Sequence, residues 1–216
     1  MAYNLEEQEQ IDELKAFWKR YGNLLTMLLT LVALAVAAWF GWQRWLDYRA
    51  SQAAVAYAQL QQAVTLRDAA KIKAAAQPLL DKYAGTAYAQ MAALVAARAQ
   101  LDSGDAAGAK AMLQWAASNA RDDEFRHVAR VRLAGVLLDE KDYDAGLALL
   151  AGNPPEQFAA QYADRRGDLL LAQDKRDEAR TAYRQALEKL GERSPLRELV
   201  RLKLDALGGA AGGAGA

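Results

Sequence analysis

The sequence predicts an all-α protein with a single N-terminal transmembrane helix followed by a right-handed array of antiparallel helix hairpins. Three observations predict it. No charge stands between Arg20 and Arg44, and residues 21–43 suffice to cross a hydrocarbon core of about 30 Å, which takes roughly 20 residues of helix. Downstream, helical patterns alternate with short polar breakers, and no window shows the apolar–polar alternation of a strand. Small and large residues then recur at fixed places beside those breakers.

Composition narrows the function classes. The chain carries 27 Lys and Arg against 27 Asp and Glu. Removing the first 20 residues, with three basic and five acidic side chains, leaves 24 against 22, a net of +2. No basic face follows, so nucleic acid is excluded as a partner. There is no cysteine, which excludes disulfides, thiol catalysis and cysteine-ligated metals. His127 is the one histidine, too few for a histidine zinc site or a histidine-dependent triad. No glycine-rich phosphate loop is present. The expectation is no catalytic residue, no cofactor and no metal, hence no enzyme.

Residues 1–20 form a short tail, expected to be cytoplasmic. Glu6, Glu7, Glu9, Asp12 and Glu13 make it acidic. Ile11, Leu14, Trp18 and Tyr21 fall at i, i+3, i+7 and i+10, the stripe of a short interfacial helix. Residues 21–43 are the transmembrane helix and enter the lipid bilayer. A cleaved secretory signal is the rival, with Ala35–Ala37 as its small-residue site. Three features favour an uncleaved anchor. The run spans a full bilayer, the preceding segment is acidic where a signal is basic, and Trp39, Trp42 and Trp45 close it where indoles favour the interface. Lys15, Lys19 and Arg20 before the span outnumber Arg44 and Arg49 after it, which points to an inner N-terminus and a single-pass, type II arrangement.

Residues 44–207 form the helical domain. Between Gln43 and Ala84 the only Pro or Gly is Pro78, so the helix is expected to leave the bilayer as a stiff stalk, with Asp68 capping the next helix. Breakers follow at 83–86, 102–105, 119–123, 139–142, 152–156, 172–175 and 191–195. Asp122, Asp123 and Glu124 open a helix, where acids meet the positive end of its dipole. Residues 208–216, rich in Gly and Ala, read as a flexible tail.

Aligning the segments on the turns at 102–105, 139–142 and 172–175 brings out the repeat. Small residues recur at Ala109, Gly146 and Ala179, 37 and 33 positions apart. A large residue follows each four positions later, at Leu113, Leu150 and Tyr183. A further small residue lies seven positions upstream of each turn, at Ala97, Ala134 and Gly167. Antiparallel helices bring their backbones close only where side chains are small, and the next large residue fills the wedge. A period near 34 with this pattern is that of tetratricopeptide repeats. The third copy, which adds Ala186, is the most regular. In the second, Asn153, Pro154 and Pro155 cut the second helix short. Gly167 in "RRGD" is then a close-contact position rather than part of an anion site. Ala182, beside Ala179, is expected on a more exposed face.

At this point the chain resembles the YfgM-type ancillary subunit of the bacterial SecYEG translocon, a membrane-anchored tetratricopeptide-like family. The resemblance is carried by "IDELKAFWKRYGN", "YAGTAYAQMAALVAARAQLDSGD", "FRHVARVRLAGVLLDEKDYDAGLALL" and "YADRRGDLLLAQDKRDEARTAYRQAL", which together cover nearly the whole chain in order. It implies an inner-membrane protein whose helical domain faces the periplasm. It implies as partners the SecYEG translocon, a membrane-anchored periplasmic chaperone like a peptidyl-prolyl isomerase, and unfolded client polypeptides passed on to periplasmic chaperones. Read from the residues alone, two other classes stay open: a structural assembly factor for another cell-envelope complex, and a membrane-anchored hydrolase or transferase.

The binding surface of such an array lies on the first helix of each repeat. The register places Met91, Leu94, Arg98 and Leu101 there, then Val128, Val131 and Leu138, then Asp164 and Asp168. Together they would form a mainly apolar groove for an extended or helical peptide; on the competing reading several of them are simply core.

Overall fold

The computed structural model describes residues 3–208, and among them all regular structure is helical. From residue 209 on, the Gly/Ala tail lies outside the described residues. Helix α1 (Tyr3–Thr65) runs without a break and contributes to two compact units, Met1–Arg49 and Ala50–Ala216. The interfacial helix expected before the span is therefore not a separate element. Gly22, at the expected junction, is covered by Trp18, whose indole lies 3.2 Å from where a Cβ would stand.

In the first unit, Leu24, Met27, Leu28, Val32 and Val36 are all exposed. This part of α1 is apolar and long enough to cross a membrane, and none of its apolar window is buried. Thr26 and Thr30 donate their hydroxyls to the carbonyls of Gly22 and Thr26, at 2.9 and 2.8 Å. The helix thus satisfies its own polar groups, as a hydrocarbon setting demands. Arg20 stands over the Tyr21 ring and Arg49 over Trp45, cations on aromatic faces at either end of the apolar stretch.

The second unit corrects the expected stalk. Ala53, Tyr57, Leu60 and Ala63 recur every three to four residues and are buried, so residues 50–65 of α1 are the first helix of the array. α2 (Ala69–Lys82), α3 (Ala87–Asp102), α4 (Ala106–Asn119), α5 (Asp123–Asp139), α6 (Tyr143–Leu149), α7 (Glu156–Ala172), α8 (Arg176–Lys189) and α9 (Pro195–Ala206) follow. The array holds four hairpins, one more than the sequence pattern indicates, and α9 packs after the last. α6 is short because Pro154 and Pro155 cannot continue a helix.

One turn geometry makes all four hairpins. Arg67, Gly104, Lys141 and Asp174 each take a left-handed conformation, with φ of 55°, 83°, 64° and 61°. The N–H of the following residue, at Asp68, Asp105, Asp142 and Lys175, donates to the carbonyl five residues back. These bonds satisfy carbonyls that a helix C-terminus leaves open and offset the roughly 1–2 kcal/mol that a side chain costs in this conformation. In the first three turns the next residue is also the cap. Asp68, Asp105 and Asp142 accept from the amides of Lys71, Gly108 and Ala145 at 3.0, 2.9 and 3.4 Å. Lys175 caps nothing with its side chain.

Packing follows the same frame. Ala97, Ala109, Leu113, Ala134, Gly146, Leu150, Gly167, Ala179, Tyr183 and Ala186 are all buried. A Cβ on Gly167 would stand 2.5 Å from the Tyr183 ring, and one on Gly146 would stand 2.7 Å from Leu169. Small residues let the helices approach, and Tyr183, Leu113 and Leu150 fill the space beyond. Burying each Leu stabilises by about 1.5–3 kcal/mol. Ala182 is buried too, at 6% exposure, and not on an open face. Tyr183, Ala186, Val200, Leu204 and Leu207 form the cluster that fastens α9.

Candidate functional site

Two adjoining cavities open over the first helices of the second unit. One, of 420 Å³, is walled chiefly by Tyr57 and Val64 of α1, Met91, Leu94 and Val95 of α3, and Phe125 of α5. The other, of 550 Å³, is lined by Arg98 and Leu101 of α3, Arg132, Gly135 and Asp139 of α5, and Arg165 of α7. Arg98 and Arg132 belong to both linings, so the two form one trough, apolar at one end and charged at the other.

Helix periodicity explains each wall. Met91, Leu94, Arg98 and Leu101 share a face of α3 at i, i+3, i+7 and i+10, and Phe125, Arg132 and Asp139 share a face of α5 at intervals of seven. The start of α5 is held in place by a two-point clamp. Gln90 donates its Nε2 to the Asp122 carboxylate at 2.5 Å, and the Asp122 N–H donates to Gln90 Oε1 at 3.1 Å.

The groove expected from the repeat register divides into three groups. Met91, Leu94, Arg98 and Leu101 line the trough. Val131 and Leu138 instead pack against the buried cluster of Ala134, Leu150, Tyr162 and Leu169, and Val128 is half-buried and lines neither cavity. Asp164 and Asp168 are closed off by α9. Lys203 Nζ lies 2.7 Å from a carboxylate oxygen of each, Tyr183 Oη donates to Asp168 at 2.8 Å and Arg165 Nη1 at 3.1 Å. Burial, aided by the neighbouring Asp168, raises the pKa of Asp164 against the pull of Lys203. Burial and Asp168 likewise push up that of Tyr183.

Tyr57 and Val64 lie on the part of α1 that the sequence predicts to be a stalk, and Phe125, Arg132, Asp139 and Arg165 lie outside the predicted groove. The seven-residue spacing on α5 was the available signal. Shifting α3 positions by 37 residues puts Val128 and Val131 in the groove, about 100° around the helix from Ala129 and Arg132.

The other candidates take structural parts. His127 Nδ1 lies 2.8 Å from Tyr162 Oη, and its ring stacks on Phe158 at 5.1 Å. Burial lowers its pKa, with Arg130 and Arg126 adding to the effect. Arg166 donates to the carbonyl of Gly152. Among the described residues, no three His, Asp or Glu side chains are grouped so as to hold a metal ion.

Comparison with known proteins follows the same outline. A family model described as a tetratricopeptide repeat-like domain matches residues 15–209. The chain is similar to a Neisseria gonorrhoeae protein named ancillary SecYEG translocon subunit, 36% identical over 208 residues, covering 96% of this chain and 100% of that one. It is also similar to proteins of that name from Escherichia coli K12, 30% identical over 93% of this chain and 96% of the other, and from Haemophilus influenzae, 28% identical over 96% and 100%.

Proposed function

The chain belongs to the tetratricopeptide repeat-like family, among the ancillary SecYEG translocon subunits, and from that premise we propose that it is a membrane-tethered protein-interaction scaffold at the SecYEG translocon. It sits in the bacterial inner membrane as a single-pass protein, with the N-terminus in the cytoplasm and the array in the periplasm. It takes up newly translocated polypeptides and passes them to periplasmic chaperones, alongside a membrane-anchored partner of the peptidyl-prolyl isomerase kind. The role is an adaptor's and not an enzyme's.

The observation that carries the scaffold reading is the trough. It is open, largely apolar at one end, and built from side chains on successive first helices, the surface such arrays use for polypeptides. The relatives' name carries the choice of translocon.

Co-purification of the full chain in mild detergent tests the proposal. Sec subunits should come down with it. Their absence, with another envelope complex recovered instead, would replace the translocon with that complex and make the chain an assembly factor. Topology has its own test, helped by the absence of native cysteine. Ser103 is exposed, so Ser103→Cys should react with an impermeant maleimide on intact cells whose outer membrane admits it. Reaction only after lysis would reverse the orientation.

A further inference from the structure

We infer that the trough selects polypeptide segments in which a carboxylate side chain stands beside a large apolar one. The inference rests on reading the trough as a polypeptide site and adds the chemistry it prefers.

The apolar cavity, between Tyr57, Val64, Leu94 and Phe125, accepts an aromatic or branched side chain. Beyond it, three successive first helices each bring one guanidinium into the second cavity: Arg98, Arg132 and Arg165. The third lies over Gly135. The guanidinium carbon of Arg165 lies 3.4 Å from where a Gly135 Cβ would stand, so this side chain reaches across to α5, one turn from Arg132.

Their donors are only partly used. Arg98 Nε donates to Asp102 at 3.0 Å, and Arg165 Nη1 donates to Asp168 at 3.1 Å. Arg165 Nε is shielded from water and has no partner. Arg132 is exposed and makes no hydrogen bond or ion pair among the described residues. Against the three cations the lining sets Asp102, which Arg98 already engages, and Asp139. A carboxylate fits the forked donors of a guanidinium, with two parallel bonds stronger than neutral ones. An amide lacks the charge, and an ammonium is repelled. Because Arg98 and Arg132 border both cavities, the apolar and acidic side chains come from neighbouring residues of one extended chain. A free fatty acid offers the same two groups, a tail and a carboxylate; the commitment to a polypeptide rests on the proposed function, and binding of dodecanoate separates the two.

The test uses the full chain in lipid nanodiscs and short fluorescent peptides followed by anisotropy. One peptide carries Phe next to Asp, its twin Phe next to Asn. The acidic peptide should bind about tenfold more tightly. The preference should vanish in Arg132→Gln and turn toward a Phe-Lys peptide in Arg132→Glu, both at an exposed position where folding is undisturbed. Equal binding of the twins, with both lost in Val95→Asp, overturns the acidic preference and leaves the trough as a polypeptide site. Binding unchanged by Val95→Asp removes the trough reading itself, and the inference with it. Saturable binding of dodecanoate with neither peptide bound overturns it in favour of a fatty acid.

Discussion

In the first hairpin, the residue seven before the left-handed turn position is Leu60, and nine after that position stands Ala76. In the last hairpin the same places hold Gly167 and Tyr183. All four side chains or positions are buried, and the turns are alike in φ and in hydrogen bonding. The middle hairpins hold Ala97 with Leu113 and Ala134 with Leu150. Across the array one member of each pair is large and the other small, but the large one changes helix. A hairpin is thus defined by its backbone turn together with a roughly constant filling of the wedge. Which helix supplies the bulk is free.

The largest effect should come from disturbing the last pair. Tyr183→Ala removes a fully buried ring and is expected to cost about 3–5 kcal/mol. Gly167→Leu forces bulk into the Tyr183 ring and should cost about 1–3 kcal/mol or more. The double variant recreates the Leu–Ala arrangement of the first hairpin. Its cost should fall below the sum of the two by about 0.5–3 kcal/mol, read from thermal unfolding of the solubilised chain. Strict additivity would show that the two positions do not share a wedge, and the four-hairpin frame would fail.

The same exchange run in the first hairpin should be milder. Leu60→Ala leaves a cavity, with an expected loss of about 2–5 kcal/mol, and Ala76→Leu in addition should recover part of it. No recovery would mean that Leu60 and Ala76, though buried in one cluster, do not face each other.

This comparison explains what could be read in advance. The third copy was legible because Gly167, Ala179 and Tyr183 differ so much in size that their order stands out. The first was not. Leu60, Ile72 and Ala76 invert that order, and Arg67 takes a conformation usually marked by Gly. The uninterrupted helix from the bilayer then hid Tyr57 and Val64 as trough residues. Ala182 is buried where a more exposed face is expected, because an alanine says little about burial, being at home on either face of a helix. On α5, the 37-residue shift from α3 points to Val128 and Val131, whereas exposed Arg132, about 100° further around the helix than Val131, lines the trough. Asp164 and Asp168 could not be recognised as closed off without α9, whose Lys203 lies far along the chain.

The joints between hairpins differ as well. α3 meets α5 through Gln90 and Asp122, whereas α5 meets α7 through His127, Tyr162 and Phe158. Burial holds the His127 pKa below its ordinary 6.5. Just below that pH the unfolded chain binds the proton and the folded chain does not, so stability falls with acidification and continues to fall until the folded pKa is passed. Asp164, raised by burial, acts in the opposite sense above its ordinary 3.8. The difference between wild type and His127→Gln isolates the histidine. The wild type should lose more stability than the variant between neutral and mildly acidic pH. Parallel pH profiles would rule out a protonation-sensitive joint.

The smallest effect concerns the caps. Asp68 receives the Lys71 amide and an ion pair from the same residue. That backbone bond is the main reason its pKa is lowered. The matching place in the last hairpin is Lys175, which offers no acceptor and sets a positive charge at the positive end of the α8 dipole. Lys175→Asp should therefore supply what the first three hairpins already have. A cap of this kind is typically worth about 1 kcal/mol, so the variant should unfold at a slightly higher temperature than the wild type. Asp68→Ala should lower the midpoint by a similar amount, and the acceptor should be visible as slowed exchange of the Glu178 amide, three residues on. A stabilised Lys175→Asp chain without that protection would trace the gain to charge alone. No gain at all would mean that the last turn, for all its shared φ, presents its first helical amides differently from the turn at Arg67.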